Sequence, residues 1–546
     1  MSTSPSRPTT RARSLHPGSK TPTLSQAILS QLFVPLDGRY AGSGRAATTD
    51  AAAKTTTLST VESATISRAQ NLIDDYGGPV GHSDVTSADA RAARGKAARA
   101  AVPFSAHASW ERPDGRSSPI DLLEAQAEIR LPQLIPIRHG RMLVSEFTYY
   151  RGAALAMAAD LATTPNSGLT VQLCGDAHLC NFGVFGSPER HLVFDVNDFD
   201  ETAPGPWEWD VKRLAASLEV ASRDSGFKKK ERVSIVCNAV RSYRETIRLF
   251  SGMSMLEVWY SHLDLDRLLP QFQSLLDPTR TPGVWRAVSR ARAHDTMHAF
   301  EKLCRLFEGE PRFISDPPLV MPIEELGTQV DNDELLAAST ETILRDYAAS
   351  LEPDRRHLME QYRLVHLARK VVGVGSVGTD CWIALLVERD GRAPLLLQLK
   401  EAQRAVLEDY AGDSAFVNHG QRVVAGQRLM QSASDIFLGW VGFDWPRRGR
   451  RDYYVRQLTD WKGSADVRGM TPAGMELWGR MCGWILARAH ARSGDRIAVA
   501  SYLGKSDGFD RAIGDFAVAY ADQNARDHQL LQDAVRTGRL EATTDL

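Results

Sequence analysis

The sequence changes character at Val371, where a long region with helical patterning gives way to the glycine-rich stretch VVGVGSVGT. It is followed by two apolar runs, CWIALLV and PLLLQLK, with the turn-favouring residues Arg389-Asp390-Gly391 between them. Short apolar runs joined by a turn predict antiparallel strands. A chain that is otherwise mostly helical is therefore expected to have an α+β fold, with a small antiparallel sheet against a largely helical body.

Composition and patterning divide the chain into five segments. Residues 1–60 are rich in Ser, Thr, Ala and Pro and predict a disordered tail. We expect a helical N-terminal extension at 61–105, a helical lobe at 106–364, a strand-rich lobe at 365–465 and C-terminal helices at 466–546 that complete the helical lobe.

Apolar periodicity gives a coarse secondary structure. Helical structure is predicted at 120–129, 151–161, 209–222, 401–434, 475–492 and 509–537, and for most of 228–370. Strands are predicted at 141–147, 168–174, 181–185, 191–196, 381–387, 394–400, 435–441 and 452–458.

Polar residues cluster at the ends of two strand-like segments. The first cluster reads Cys-Gly-Asp-Ala-His-Leu-Cys-Asn over 174–181, and the second reads Asn-Asp-Phe-Asp-Glu over 197–201. Because apolar strands precede both, we expect the Asp and Asn side chains in tight turns at strand ends. Carboxylate and amide oxygens in such positions suit a hard cation near substrate phosphates.

The spacing of these residues indicates a more specific chemistry. Asp176 and Asn181 are related as D-x-x-x-x-N, as in the kinase catalytic loop, where the Asp accepts the substrate hydroxyl proton and the Asn holds Mg²⁺. A later acidic residue then supplies the main metal ligand. Asp198, which heads an Asp-Phe-Asp string, is favoured for this role, and Asp195 stays an alternative.

The glycine stretch contains a G-x-G-x-x-G motif formed by Gly373, Gly375 and Gly378. A dinucleotide-binding site needs a helix directly after this motif, whereas a strand follows here. The context instead favours the glycine-rich loop of a kinase, which covers the nucleotide phosphates.

Lys400 ends the second apolar run, where a kinase has the lysine that grips phosphate oxygens. Glu401 and Glu408 are both candidates for its acidic partner. The strand at 452–458 is expected to lead to an adenine-binding segment at Gln457 and Leu458.

The order of these motifs is reversed relative to an ordinary kinase, because Gly373 follows Asp176 by 197 residues. Either the glycine motif is a coincidence or the two lobes are circularly permuted. Permutation is tolerated where the chain termini lie at the surface. We therefore expect a kinase-like, two-lobed fold in permuted order.

The paired segments at 174–181 and 192–201 resemble the aminoglycoside phosphotransferase and choline kinase branch of the kinase-like fold. That branch has an HGD-x-H-x-x-N loop followed by a strand that ends in D-F-[DE]; here Cys174 replaces its first His. The resemblance implies that His178 organises the catalytic loop. It also implies that Asp210, in the string WDVKRLA, braces that loop.

A second resemblance covers most of the chain from 136 to 495. It is carried by the strings PIRHGRM, YRGAA, CGDAHLCNFG, NDFDET, PWEWDVKRLA, GVGSVGT, YVRQL and LARAHARSGD. The chain resembles the DUF2252 family, an uncharacterised bacterial family. This resemblance implies no settled biochemistry, so the functional interpretation depends on the residues above.

Other residues leave alternatives open. Arg138, Arg141 and Arg151 precede the acidic segment and suit either phosphate recognition or ion pairs with nearby acids. His490 is either a helix-terminal cap or a site residue.

Composition limits the partners. The chain has 65 basic and 67 acidic residues, and the net charge of −2 argues against a nucleic-acid partner. It has no apolar run of about 18 residues, so no membrane association is expected. Six cysteines without a CxxC pair are typical of reduced thiols in a cytoplasmic protein.

The function predicted from these motifs is phosphoryl transfer from ATP, with Mg²⁺, to a hydroxyl group of an unidentified small molecule. Two alternatives stay open. One is a nucleotide-binding pseudokinase or scaffold without catalysis, and the other is a metal-dependent phosphohydrolase that uses water as the nucleophile.

Overall fold

The structure is a computed structural model that describes residues 87–272, 288–329, 333–445, 449–464 and 466–544. The predicted tail at 1–60, and the part of the predicted extension at 61–86, lie outside the described residues.

Helices form most of the described chain. They are α1 (Ala88–Ala101), α2 (Pro119–Ala127), α3 (Ile135–Leu143), α4 (Glu146–Gly152), α5 (Ala154–Ala162), α6 (Trp207–Asp224), α7 (Lys229–Ser251), α8 (Met255–Tyr260), α9 (Leu265–Phe272), α10 (Thr296–Leu303), α11 (Asp333–Ala349), α12 (Pro353–Met359), α13 (Glu408–Ala411), α14 (His419–Met430), α15 (Pro472–Ser493), α16 (Arg496–Leu503) and α17 (Gly508–Arg536).

The strands are short and pair antiparallel throughout the described sheets. They are β1 (Thr170–Leu173), β2 (Phe182–Gly186), β3 (Leu192–Val196), β4 (Ala203–Pro206), β5 (Leu263–Asp264), β6 (Cys304–Phe307), β7 (Glu310–Phe313), β8 (Val320–Pro322), β9 (Tyr362–Lys370), β10 (Cys381–Glu388), β11 (Pro394–Ala402), β12 (Gly439–Trp445), β13 (Gly449–Gln457) and β14 (Gly463–Ser464). The largest sheet has the order β12-β13-β11-β10-β9-β8, and a second has the order β14-β2-β3-β5. The predicted α+β class is confirmed.

The six-stranded sheet is covered on both faces. Trp382, Ala384 and Leu386 of β10 face an apolar cluster that includes residues of α11 and α12. Ile383 and Leu385, between them in sequence, face a second cluster with residues of α10 and β7. Because side chains alternate between the faces of a strand, burial of both faces requires an unbroken apolar run. This requirement accounts for the run CWIALLV.

The helical body surrounds one apolar cluster that combines distant parts of the chain. Helix α6 lies at its centre, and every residue from Trp207 to Ser222 is buried. Helix α15, from the C-terminal part, crosses α7 so closely that a Cβ atom at Gly483 would lie 2.2 Å from the Ala239 carbonyl oxygen. Only glycine permits this approach.

A buried ion pair links β3 to α15. Asp195 and Arg488 are both fully shielded from solvent, and Arg488 Nη2 donates to Asp195 Oδ1 and Oδ2 at 2.8 and 2.9 Å. Asp195 Oδ2 also accepts from the backbone N–H and the hydroxyl of Ser432, at 2.9 and 2.8 Å. These contacts supply the partners that a buried carboxylate requires.

Two secondary-structure predictions were wrong, and a third was incomplete. The predicted strand at 141–147 is helical, because Ser145 caps α4 by accepting from the Thr148 backbone N–H. The described part of 228–370 is mostly helical, as predicted, but it also contains strands β5 to β9, of which β9 is fixed by pairing with β10. The strand predicted at 435–441 begins only at Gly439, because Asp435 Oδ1 accepts from the Phe437 N–H in a local turn.

The helices predicted at 120–129, 209–222, 475–492 and 509–537 are confirmed as α2, α6, α15 and α17 within a few residues. The predicted 181–196 hairpin is confirmed as the β2–β3 pair. Within the described ranges, no helix is long and apolar enough to cross a membrane.

Replacing Asp195 tests the buried ion pair. Asp195→Asn leaves the Arg488 guanidinium buried without its anion, and we expect the free energy of unfolding to fall by about 3–5 kcal/mol. Urea denaturation followed by circular dichroism measures this loss. The control is Asp444→Asn, at a side chain 75% exposed, for which we expect a change below about 0.5 kcal/mol. Equal losses of unfolding free energy in both variants would show that the Asp195–Arg488 ion pair does not stabilise the fold.

Candidate functional site

A cavity of about 350 Å³ lies where the helical body meets the six-stranded sheet. Its wall contains the sequence-predicted residues Asp176, His178, Asn181, Asp198, Gly373 and Gly375. Lys400 reaches the cavity from β11 through its contact with Asp198. Residues that are far apart in the sequence therefore meet around one space.

The loop that carries Asp176 is fixed by Asp210 in the first turn of α6. Asp210 accepts hydrogen bonds from the backbone N–H groups of Cys174 and Gly175, at 2.8 and 3.1 Å. His490 Nε2 lies 3.2 Å from Asp210 Oδ2, and its Nδ1 lies 2.8 Å from the Tyr243 hydroxyl. His490 thus belongs to the buried support of this loop and lies behind the cavity wall.

Asp176 is oriented by Arg213, which sequence reasoning missed. Arg213 Nε and Nη2 contact Asp176 Oδ1 at 2.9 and 2.7 Å, while Asp176 Oδ2 lies 3.6 Å from His178 Nε2. Asn181 donates its side-chain N–H to the Asp176 carbonyl oxygen at 2.8 Å. Its own side-chain oxygen is left as an acceptor. The spacing of Arg213, three residues after Asp210 on one helix, was the available signal.

His178 is a neutral, buried part of the loop. Burial, together with the charges of Arg151 and Arg213, lowers the pKa of His178 to about 4 against the opposing effect of Asp176. Its Nδ1 accepts from the Cys180 N–H at 3.2 Å. The proton of the neutral ring is therefore on Nε2, the nitrogen that faces Asp176.

Gly175 allows the two acidic segments to touch. Its backbone is left-handed, with φ +84°, and an added Cβ atom would lie 2.0 Å from the Glu201 carbonyl oxygen. Neither the conformation nor the space suits another residue. The contact fixes the loop of Asp176 against the loop of Asp198.

Lys400 forms ion pairs with Asp198 and Asp200. Lys400 Nζ lies 3.5 Å from Asp198 Oδ2 and contacts Asp200 Oδ2 directly. Asp200 also accepts from the Tyr454 hydroxyl at 2.7 Å and from the Ser376 hydroxyl at 3.2 Å. Asp200, the second acid of the Asp-Phe-Asp string, was not among the predicted ligands.

The predicted acidic partners of Lys400 were wrong. Glu401 accepts from the Asp380 N–H at 2.8 Å and pairs with Arg451. Glu408 accepts from the Ala405 N–H at 3.0 Å. Successive side chains point to opposite faces of a strand, so Glu401 leaves β11 away from Lys400.

Charge balance keeps this cluster ionised. Burial alone would raise the pKa of Asp198, but Lys400 and Arg456 outweigh that effect and lower it. Burial would lower the pKa of Lys400, which is 3% exposed, but Asp198 and Asp200 raise it well above its ordinary value. A charged lysine and an ionised aspartate thus lie side by side at the cavity.

The glycine segment between β9 and β10 is fastened to the helical body. Arg130 Nη1 donates to the carbonyl oxygens of Gly375 and Val377 at 2.8 and 2.6 Å. Arg141 Nη1 donates to the Gly373 carbonyl oxygen at 2.6 Å. Gly378, with φ +92°, packs against the Arg130 side chain, and its carbonyl oxygen accepts from the Leu131 backbone N–H. Arginine–carbonyl contacts thus hold the segment against the cavity.

Some predicted residues lie outside the cavity wall. Asp195 is committed to Arg488 in the body, and its carboxylate does not reach the cavity. Gln457 and Leu458 line a separate cavity of about 70 Å³. Their backbone N–H groups donate to Asp435 Oδ2 and to the Leu396 carbonyl oxygen.

These features define a mixed α+β protein with a polar cavity between a helical body and an antiparallel sheet. The family model described as an uncharacterized protein conserved in bacteria (DUF2252) matches residues 130–534. The chain belongs to the DUF2252 family. No curated protein and no solved structure matched it.

The pH dependence of stability tests the environment of Glu201 at the cavity wall. Burial, with the charges of Asp200 and Asp176, raises the pKa of Glu201 from 4.5 to about 7 against the Val406 N–H and Arg422. In the unfolded chain the Glu201 carboxyl loses its proton near pH 4.5, whereas in the folded protein it keeps the proton until about pH 7. The free energy of unfolding therefore falls as the pH rises from about 4.5 to 7. Relative to Glu201→Gln, we expect the wild type to lose about 2–3 kcal/mol across this range.

Urea denaturation at pH 5 and pH 8 measures this difference. Glu189→Gln, at an exposed loop position, is the matched control and should follow the wild type at both pH values. If the free energies of unfolding of Glu201→Gln and the wild type differ by the same amount at both pH values, Glu201 does not have the raised pKa described above.

Proposed function

We propose that this protein is a kinase-like phosphotransferase that transfers a phosphoryl group from ATP, with Mg²⁺, to a small-molecule hydroxyl acceptor. The observation that carries the proposal is the contact of Lys400 with Asp198, 202 residues earlier in the chain. The sequence motifs assign phosphate binding to Lys400 and metal binding to Asp198. These two residues meet at the cavity that Asp176 and Asn181 line.

The connection of the sheet supports this proposal. Strands β9, β10 and β11 form an antiparallel meander, with the glycine segment between the first two and Lys400 on the third. In protein kinases a glycine-rich loop likewise covers the phosphates, and the lysine is on the third strand of the nucleotide lobe. Here these elements follow the Asp176 loop in sequence, so the proposed lobes are circularly permuted.

The residues at the cavity suit Mg²⁺. Asp198, Asp200 and the side-chain oxygen of Asn181 are hard oxygen donors, and Mg²⁺ binds through one or two carboxylates together with substrate phosphates. Bound Mg²⁺–ATP would supply the phosphoryl group and neutralise its developing charge. Asp200, which is held by Tyr454 and Ser376, serves as the anionic partner that keeps Lys400 in place.

Asp176 is the proposed acceptor-positioning base. Arg213 occupies its Oδ1, so Oδ2 accepts the hydroxyl proton of the acceptor. With ATP bound, Lys400 would contact phosphate oxygens as well as Asp198, and the backbone of Gly373 and Gly375 would orient the same phosphates. Most of the rate enhancement then comes from positioning and electrostatic stabilisation.

Thermal unfolding with nucleotides tests nucleotide binding. A ligand that binds only the folded state at 100 times its Kd stabilises it by about 2.7 kcal/mol. We expect ATP to raise the Tm of the wild type in the presence of Mg²⁺, and Asp198→Ala to lose the Mg²⁺-dependent part. Asp444→Ala, at an exposed carboxylate on β12, should keep it. A wild type without any Mg²⁺-dependent shift for ATP, GTP or ADP contradicts the proposal.

Asp176→Asn separates catalysis from binding. We expect this variant to keep its ATP-induced Tm shift and to lose about 10²- to 10⁴-fold in ADP formation, measured with a metabolite extract as the source of acceptor. Nucleotide binding without turnover, unchanged in Asp176→Asn, would indicate a scaffold. Phosphate release in buffer without the extract would indicate a phosphohydrolase.

A further inference from the structure

We infer that Arg138 and Arg151 form a subsite for an oxyanion of the acceptor, a phosphate or carboxylate group, in the main cavity. The assignment of this subsite to the acceptor rests on the proposed phosphotransferase function. The oxyanion site itself rests on the environment of the two guanidinium groups.

Arg138 is a buried cation with unused donors. It lies on α3, is 1% exposed and lines the cavity. Its Nη2 donates to Gln126 Oε1 at 2.8 Å and to the Gly152 carbonyl oxygen at 3.0 Å. Its Nε and Nη1 have no hydrogen-bond partner within the described part of the chain. A buried guanidinium with unpaired donors is costly, and the charge of an anion in the cavity would offset part of this cost.

Arg151 adds a second unpaired guanidinium to the same wall. It lies in the last turn of α4 and lines the cavity together with Asp176, His178 and Asn181. Its Nε is buried without a partner, and no acidic side chain among the described residues forms an ion pair with it. Within the described ranges, the ion pairs that the sequence allowed for Arg138 and Arg151 are therefore not formed.

The acidic groups of the cavity are already engaged elsewhere. Asp176 pairs with Arg213, Asp198 and Asp200 pair with Lys400, Glu401 pairs with Arg451, Asp409 pairs with Arg404, and Glu201 accepts from the Val406 N–H. Glu201 is close enough to favour the charged form of Arg138 but forms no hydrogen bond with it in the described structure. Among the described residues, no cavity carboxylate forms an ion pair with Arg138 or Arg151.

A like-charged neighbour strengthens the need for an anion. Arg130 lies beside Arg138, and burial together with this neighbour lowers the pKa of Arg138. The Nη1 of Arg130 is engaged by the glycine-segment carbonyl oxygens. An oxyanion in the cavity beside Arg138 and Arg151 would offset this repulsion, and the planar guanidinium fork suits phosphate and carboxylate oxygens.

The position of the subsite favours the acceptor over the nucleotide. Arg138 and Arg151 come from helices α3 and α4, whereas Lys400, the proposed cation for the nucleotide phosphates, comes from the sheet. Arg151 lies close enough to His178 to lower the pKa of that imidazole. The oxyanion is therefore held next to Asp176, where the acceptor hydroxyl is activated.

The test titrates the full-length protein with inorganic phosphate, acetate and Mg²⁺–ATP by isothermal titration calorimetry. We expect the wild type to bind phosphate or acetate, and the stronger of the two identifies the class of oxyanion. Arg151→Gln should weaken that binding about tenfold or more, and Arg151→Lys, which keeps the charge without the fork, should have an intermediate affinity. Arg392→Gln, at a side chain 82% exposed, is the charge-matched control and should bind as the wild type.

Each outcome decides a separate point. Loss of Mg²⁺–ATP binding in Arg151→Gln would overturn the inference, because the arginines would then serve the nucleotide. Absence of phosphate and acetate binding in the wild type, or unchanged binding in a folded Arg151→Gln variant, would also overturn it. A wild type that binds phosphate but no Mg²⁺–ATP would support the oxyanion site and contradict the proposed phosphotransferase.

Discussion

The structure depends on the burial of Lys400 between two aspartates. Lys400 is 3% exposed, and its buried ammonium group is stable only when carboxylates compensate for the water it has lost. Asp198 and Asp200 provide this compensation, and they come from a turn of the helical body, while Lys400 comes from the sheet. The charge requirement therefore fixes the sheet against the body and determines where the cavity lies.

Backbone contacts extend this constraint. Arg422 of α14 donates to the carbonyl oxygens of Asp200, Thr202 and Gln403, at 2.8, 2.6 and 2.8 Å. It thus ties the acidic turn to the end of β11. Buried arginine satisfied by carbonyl oxygens is a recurring device in this protein, since Arg130 holds the glycine segment in the same way. Polar contacts of this kind specify one arrangement of two parts that apolar packing alone would leave less defined.

Sequence patterns predicted the parts of the fold that depend on local information. The run CWIALLV and the turn after it predicted the β10–β11 hairpin, and the helical spacing of apolar residues from Trp209 predicted α6. The failures have tertiary causes. Strand β9 depends on its pairing with β10, and the helix at Ser145 depends on a cap within a stretch of strand-like residues. The secondary structure of such short segments depends on the elements that they pack against or pair with in the fold.

The same distinction applies to the candidate site. The spacing of Asp176 and Asn181 indicated their proximity, because the loop is local. The partnership of Lys400 with Asp200 joins strand and turn across 200 residues, and no local pattern carries it. The sequence allows Arg138 to be a phosphate ligand or an ion-pair partner, and its burial without an ion pair to a described acid is visible only in the structure.

The apolar cluster of the helical body has a consequence for the synthesis of the protein. Residues of α6 and α7 pack against α15 and α17, which follow the entire six-stranded sheet in sequence. During translation the apolar faces of α6 and α7 thus emerge from the ribosome more than 200 residues before their partners at 472 and beyond. Until then these faces must be shielded by transient contacts or by a chaperone, because exposed apolar surface promotes aggregation. Premature termination within the sheet would leave the body without its closing helices.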